Sequence, residues 1–64
     1  MYKIEGTGAL SQTISTKREA LRVGAALARG LIFGGLVTVK SPAGDIVAGW
    51  KAPAWGQGRV RRVL

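Results

Sequence analysis

The stretch Thr16-Lys17-Arg18-Glu19 decides the fold, because its residue types are those of a capping box at the start of a helix. In such a box the threonine side chain accepts from the amide of the glutamate, and the glutamate reaches back to the amide of the threonine. Beyond the box, apolar residues recur at helical spacing on one side: Ala20, Val23, Leu27 and Leu31. Three arginines share the opposite side: Arg18, Arg22 and Arg29. The pattern predicts one amphipathic helix with its apolar stripe on a core.

Glycines downstream set where this helix ends, because glycine adopts the left-handed conformation that satisfies the last carbonyl groups. Either Gly30 or the pair Gly34 and Gly35 fits, and Gly34 is the preferred end. Gly24 and the alanines keep the helix slim, so it can approach a sheet closely.

Residues 36–40 and 46–50 are two β-rich runs separated by Ser41-Pro42-Ala43-Gly44-Asp45. Pro42 fixes the first turn dihedral, and Gly44 supplies the positive φ that closes a type I turn with a bulge. If Ser41 faces Asp45, the cross-strand pairs are Val39 with Val47, Val37 with Gly49, Thr38 with Ala48 and Lys40 with Ile46. The valine face is then expected to meet the helix. The other face carries Thr38, Lys40 and Trp50.

The residues before the helix predict a first hairpin, formed by residues 2–5 and 9–14 across Gly6-Thr7-Gly8. Alternation places Leu10, Gln12 and Ile14 on one face of its second strand. A single bent strand through the two glycines is the alternative. Two further aromatic residues, Tyr2 and Phe33, are assigned to the core or to an interface.

The fold class that follows is α+β. We predict a small β-β-α-β-β domain over residues 1–55, with one amphipathic helix packed on an antiparallel sheet. Residues 56–64 contain three arginines and predict a flexible basic tail. A short edge strand that includes Val60 is the alternative for this tail.

Composition limits the chemistry that this fold can carry. The chain has 64 residues, no cysteine, no histidine and only three acidic residues, Glu5, Glu19 and Asp45. Disulfides, thiolate chemistry, the usual zinc sites and the commonest general base are thereby excluded. We predict a non-enzymatic protein without metal or cofactor. A domain this short buries only about 60% of its unfolded surface, so its core is thin and a homodimer would extend it.

Ten lysine and arginine residues give a formal net charge of +7, which predicts an anionic partner. The longest apolar tract, residues 23–39, contains Arg29 near its middle, so a membrane span is not expected. The first five residues lack the apolar stretch of a secretory signal, which favours a cytoplasmic protein.

The candidate partner-binding residues fall into three groups. On the helix they are Arg18, Arg22 and Arg29, whose guanidinium groups extend over about 16 Å and suit a row of phosphates. Around the second hairpin they are Lys40, Trp50, Lys51 and Trp55, since aromatic rings beside cations can stack nucleic-acid bases. In the tail they are Arg59, Arg61 and Arg62, which suit a groove or a phosphate backbone.

Each group also has a purely structural interpretation. The helix arginines can form a solvated face, the tryptophans can seal the edge of the core, and the tail can serve solubility alone. The shortage of acidic neighbours favours binding by the helix, because solvated faces usually mix both signs of charge.

The order of hairpin, capped helix and hairpin, with Gly44-Asp45-Ile46 after the second turn, resembles certain very small prokaryotic and phage proteins, including some anti-CRISPR proteins. The resemblance covers about residues 9–50 and rests on topology and turn chemistry. It implies a phage protein in the host cytoplasm that disables a nucleic-acid-handling complex, either by docking on it or by altering its contact with DNA. The positive charge departs from the acidic members that mimic DNA.

Three functions are therefore to be distinguished. The first is binding to nucleic acid, DNA or RNA, with affinity that falls roughly a thousandfold or more between 50 and 200 mM salt for about six phosphate contacts. The second is inhibition of a host defence complex by protein docking. The third is binding at a membrane surface through residues 23–39.

Overall fold

One antiparallel sheet and one helix make up the computed structural model, which describes residues 1–8, 10–54 and 58–64. In chain order the elements are β1 Tyr2–Gly6, β2 Leu10–Ile14, α1 Lys17–Arg29, β3 Phe33–Lys40, β4 Ile46–Ala54 and β5 Arg61–Arg62. The sheet order is β2-β1-β3-β4-β5, and every neighbouring pair is antiparallel. The predicted α+β class and the order of hairpin, helix and hairpin are confirmed.

The first hairpin forms as predicted, and the single bent strand is excluded. β1 and β2 pair from Tyr2 opposite Ile14 to Gly6 opposite Leu10. Leu10 and Ile14 are half-buried and pack against the core, while Gln12 between them is exposed. Ala9, the first residue of the predicted second strand, lies outside the described residues.

The helix α1 begins as predicted and ends earlier than predicted. The Thr16 hydroxyl accepts from the Glu19 amide at 3.3 Å. The Glu19 carboxylate binds the Arg22 guanidinium rather than the Thr16 amide, so half of the predicted capping box forms. The helix ends at Gly30, and Gly34 as its end is wrong. Gly34 instead lies in β3 with φ +82°, where an added Cβ would come within 2.9 Å of a carbonyl oxygen in β4.

The second hairpin forms around the predicted turn but with a shifted register. The Ser41 amide donates to the Asp45 carbonyl oxygen at 2.7 Å, and Lys40 pairs with Ile46 as predicted. A β-bulge next to this pair adds one residue to β4 and shifts by one residue every pair that lies farther from the turn. The observed pairs are Val39 with Ala48, Thr38 with Gly49 and Val37 with Trp50. The three predicted pairs Val39–Val47, Thr38–Ala48 and Val37–Gly49 are wrong.

This shift places Trp50 on the helix side of the sheet, contrary to the prediction, because a slip of one residue reverses which face a side chain occupies. Only 6% of Trp50 is exposed. Its ring lies against Gly24, where an added Cβ would come within 2.6 Å of ring atom Cζ3. The absence of a side chain at Gly24 is therefore what allows the helix and the tryptophan to pack together.

The core between helix and sheet is small and rich in alanine. Its buried apolar residues are Ile4, Ala20, Ala28, Val37, Val39, Ala48, Trp50 and Ala52. The other members of the predicted helix stripe and one aromatic residue are half-buried and pack against this core: Val23, Leu27, Leu31 and Tyr2. Phe33 does not belong to the core, since it is 90% exposed at the last pair of the β3–β4 ladder.

The C-terminal residues form one edge of the sheet. Arg61 pairs with Lys51, Arg62 pairs with Trp50, and Val60 packs against the core. The flexible tail predicted for residues 56–64 is therefore wrong for Arg61 and Arg62, where the alternative, a short edge strand, is observed. Residues 56 and 57 of that predicted tail lie outside the described residues. The physical reason is that β4 extends past Trp50 and offers its outer backbone groups to a further strand.

Candidate nucleic-acid interface

Five cations line two neighbouring grooves, one on each face of the sheet, at the edge formed by β4 and β5. They are Arg29, Lys51, Arg59, Arg61 and Arg62, and we name them the C-terminal basic cluster. Three of them line a groove over the Trp50 ring on the helix side of the sheet: Arg29, Arg59 and Arg62. Three line a second groove beside Pro53: Lys51, Arg59 and Arg61. Because Arg59 borders both grooves, the cluster continues around the β5 edge.

Alternation along the last strand explains why its cations reach both grooves. Arg62 lies opposite Trp50, so its side chain is on the helix side of the sheet. Arg61 lies opposite Lys51 and therefore belongs to the open face, which the helix does not cover. Val60 packs against the core and fixes the segment between Arg59 and the strand.

Arg62 is held in place by two contacts. Its guanidinium carbon lies 5.6 Å from the centroid of the Trp50 ring, within the range of a cation–π interaction. Its Nε donates to the backbone oxygen of Leu64 at 2.7 Å. Trp50 thus positions a cation, and because its ring is almost fully buried it does not offer a free face for a nucleic-acid base.

The three carboxylates lie away from the cluster. Glu19 pairs with Arg22 at the start of α1, and Glu5 pairs with Lys40 at 3.3 Å. Asp45 lies in the β3–β4 turn, where its amide donates to the Ser41 hydroxyl at 3.2 Å. Within residues 1–8, 10–54 and 58–64, no aspartate or glutamate forms an ion pair with a member of the cluster. Its positive charge is therefore available to an external anion.

The remaining predicted site residues are not brought into the cluster. Arg18 and Arg22 are exposed near the start of α1, and only Arg29 of the predicted helix stripe reaches the cluster. The hydrogen bond from Arg22 to Glu19, with the attraction between their charges, raises the pKa of Arg22 above its ordinary value. Lys40 lies at the opposite end of β3 from the cluster and is bound to Glu5. Trp55 lies outside the described residues.

Sequence reasoning missed the apolar floor on which the cluster is built. Ala25, Trp50 and Val60 line the helix-side groove between the arginines. The signal for Val60 was present, because a valine between arginines fits an edge strand with one side chain turned to the core. The proximity of Arg29 to Arg62 has no local signal, since it depends on the order of the strands.

Comparisons with protein-family models, with curated protein sequences and with solved structures gave no match. In the part of the chain that the structure describes, no helix combines the length and the apolarity needed to cross a membrane. The same residues contain no group of three or more side chains of the types that usually hold a metal ion.

Proposed function

We propose that the protein binds nucleic acid through phosphates, using the C-terminal basic cluster. One observation carries the proposal: five cations from α1, β4 and the last residues surround one edge of the sheet, and all three carboxylates lie elsewhere. Four of these cations are arginines, whose planar guanidinium groups match phosphate oxygens through paired donors. The protein acts in a cytoplasm on DNA or RNA, and no catalytic step is part of the proposal.

Contacts to phosphates, rather than to bases, are expected to dominate this binding. Trp50 is buried and already occupied by Arg62, so base stacking on it is excluded without opening the core. Phosphates carry no sequence information, and binding through them weakens steeply as salt rises. The proposal therefore requires affinity that varies little between sequences and strongly with ionic strength.

A second candidate function is docking on a protein of a nucleic-acid-handling complex, the mode implied by the resemblance to anti-CRISPR proteins. It is favoured by an exposed apolar corner next to the cluster. Phe33 is 90% exposed and Ile32 is 57% exposed, and Ile32 lines a small groove together with Arg29. Large exposed apolar side chains beside cations are typical of protein interfaces.

The decisive experiment is fluorescence anisotropy with labelled duplex DNA and single-stranded RNA, measured over a salt series. The test variant is Arg59→Gln/Arg61→Gln, which removes two cluster charges on exposed side chains. We expect weaker binding at low salt and a salt slope smaller by about 2, because each lost phosphate contact lowers the slope by about 1. Circular dichroism checks that the variant remains folded.

The matched control is Lys17→Gln/Arg18→Gln, which removes the same charge from exposed side chains at the far end of the helix. Its salt slope is expected to stay close to that of the original protein. Equal weakening by both double variants would show that only net charge matters and would overturn the cluster as the site. An affinity that does not change with salt would overturn nucleic-acid binding itself, and retention of a protein partner after nuclease treatment would then support the docking function.

A further inference from the structure

β2 is an open edge of the sheet with a defined set of outward backbone groups. In the described part of the chain it pairs with β1 on one side and with no strand on the other. The Thr7 amide donates to the Leu36 carbonyl at 3.0 Å, which fixes the alternation of hydrogen bonds along β1 and hence along β2. It follows that Leu10, Gln12 and Ile14 bond to β1. The N–H and C=O groups of Ser11 and Thr13 are directed away from the sheet.

This edge also lacks the features that usually keep strands apart. Natural edge strands are protected by lysine, proline, a bulge or extreme shortness. β2 has five residues, Leu-Ser-Gln-Thr-Ile, with an unbroken register and no charge. The surrounding residues 6–16 are likewise uncharged, in a chain of net charge +7. If two copies meet along this edge, β2 therefore brings no like charges of its own to the contact.

The helix leaves the side chains of β2 only partly covered. α1 lies mainly across β3 and β4, and β2 is at the margin of its contact with the sheet. Leu10 and Ile14 face the helix side but remain half-buried. An apolar neighbour placed beyond β2 would complete their burial.

We infer that two copies pair antiparallel through β2, joining their five-stranded sheets into one continuous sheet about a two-fold axis at Gln12. In this register Ser11 of each copy lies opposite Thr13 of the other, and their outward N–H and C=O groups form the new ladder. Leu10 of each copy lies opposite Ile14 of the other on the helix side. The register is self-complementary: it joins hydroxyl side chains to hydroxyl side chains and apolar ones to apolar ones.

This arrangement has a geometric consequence that does not depend on the proposed function. The two-fold axis is perpendicular to the sheet, so both helices lie on the same side. The two β5 edges become the outer edges of the joined sheet. With strands about 4.8 Å apart they are separated by roughly 40 Å. Each dimer then carries one C-terminal basic cluster at either end.

The test begins with the unaltered protein, freed of nucleic acid by nuclease treatment and examined by sedimentation equilibrium. We expect a mass twice the 6.7 kDa of the chain at high concentration. Amide hydrogen exchange read by NMR locates the contact. The amides of Ser11 and Thr13 should exchange slower by roughly tenfold or more as the dimer forms, because only an edge contact protects outward amides.

Two variants break the edge in different ways. Thr13→Pro removes an outward N–H that the ladder to β1 does not use, and proline is tolerated at such positions. Ser11→Lys/Thr13→Lys places ammonium groups opposite each other in the proposed register. Both variants should sediment as monomers with an unchanged circular dichroism spectrum. The control Ala43→Lys/Asp45→Asn raises the net charge equally at the exposed β3–β4 turn and should remain dimeric.

A protein that stays monomeric at millimolar concentration would overturn the inference. A dimer whose Ser11 and Thr13 amides exchange as fast as free amides would also overturn it, because its contact would lie elsewhere. Should both edge variants fail to fold, the exchange rates of the unaltered protein still decide the question.

Discussion

The two edges of the sheet differ in the properties that decide what can meet a strand. The β2 edge is five residues long and uncharged, with the backbone groups of Ser11 and Thr13 turned outward. The β5 edge is two residues long, and both of its residues are arginines. Unpaired backbone groups attract another strand, whereas guanidinium groups attract anions. The two proposals therefore fall on opposite edges of the sheet: pairing of two copies at β2, and anion binding at β5.

The charge of the whole chain bears on both proposals. A molecule of net charge +7 repels its copies wherever its cations are exposed. If β2 carried the arginines of β5, like charges would face each other across the seam. If β5 lacked them, the helix-side groove would retain only Arg29 and Arg59 among its cations. Under the two proposals, the uncharged β2 suits pairing of copies and the arginines of β5 suit anion binding.

The two edges are expected to differ most in how salt changes the association at each of them. Between 50 and 200 mM salt, affinity for duplex DNA should fall on the order of a few hundredfold if about five cations contact phosphates. Dimerisation through β2 should instead strengthen, because salt screens the repulsion between two cationic copies. Anisotropy and sedimentation in the same buffers measure both quantities.

If both DNA binding and dimerisation weakened as salt rose, this prediction would be contradicted. That result would mean that the dimer depends on ionic contacts, and the uncharged residues of β2 could not supply them. The unrelated turn variant Ala43→Lys/Asp45→Asn serves as control, since its added charge should increase the salt response of dimerisation without removing the β2 contact.

A second prediction concerns the support beneath the β5 edge. Gly24→Val places a branched side chain against the Trp50 ring, where even a Cβ approaches within 2.6 Å. Overpacking of this kind is expected to lower the free energy of unfolding by about 1–3 kcal/mol. Because Trp50 positions Arg62, exchange at the amides of Lys51 and Arg61 should accelerate more than exchange in the β1–β2 hairpin. Urea denaturation and hydrogen exchange provide the two measurements.

The control for this variant is Ala26→Val, which introduces the same side chain on the exposed side of the same helix. The free energy of unfolding should fall by only roughly 0.5 kcal/mol, because valine has a lower helix propensity than alanine. If the two variants were equally destabilised, packing between Gly24 and Trp50 could not be what holds the helix to the sheet.

Much of the fold was predictable because it follows from local chemistry. Thr16 begins the helix, and the turn at residues 41–45 closes with Gly44 at φ +94°. The register of β3 and β4 was not predictable from the same reasoning. The β-bulge adds one residue next to Lys40, and no glycine or proline marks the place. A single added residue was enough to move Trp50 from the expected open face into the core.

The candidate site was predictable in composition but not in grouping. Arginine and lysine types indicated an anionic partner, and Arg59, Arg61 and Arg62 are all in the cluster. Their meeting with Arg29 depends on where the helix crosses the sheet and on β5 pairing beside β4. Both are tertiary features, which is why Arg18 looked equivalent to Arg29 in the sequence and is not equivalent in the structure.

A finer difference is expected between the two arginines of β5. Arg62→Gln removes the contact with the Trp50 ring and the hydrogen bond to Leu64, so the free energy of unfolding should fall by about 0.5–1 kcal/mol. Arg61→Gln removes the same charge but leaves stability unchanged or slightly raised, because Arg61 lies directly opposite Lys51. Urea denaturation at low salt measures both. Equal destabilisation by the two variants would contradict the inference that Arg62, in addition to its place in the cluster, stabilises β5 in a way that Arg61 does not.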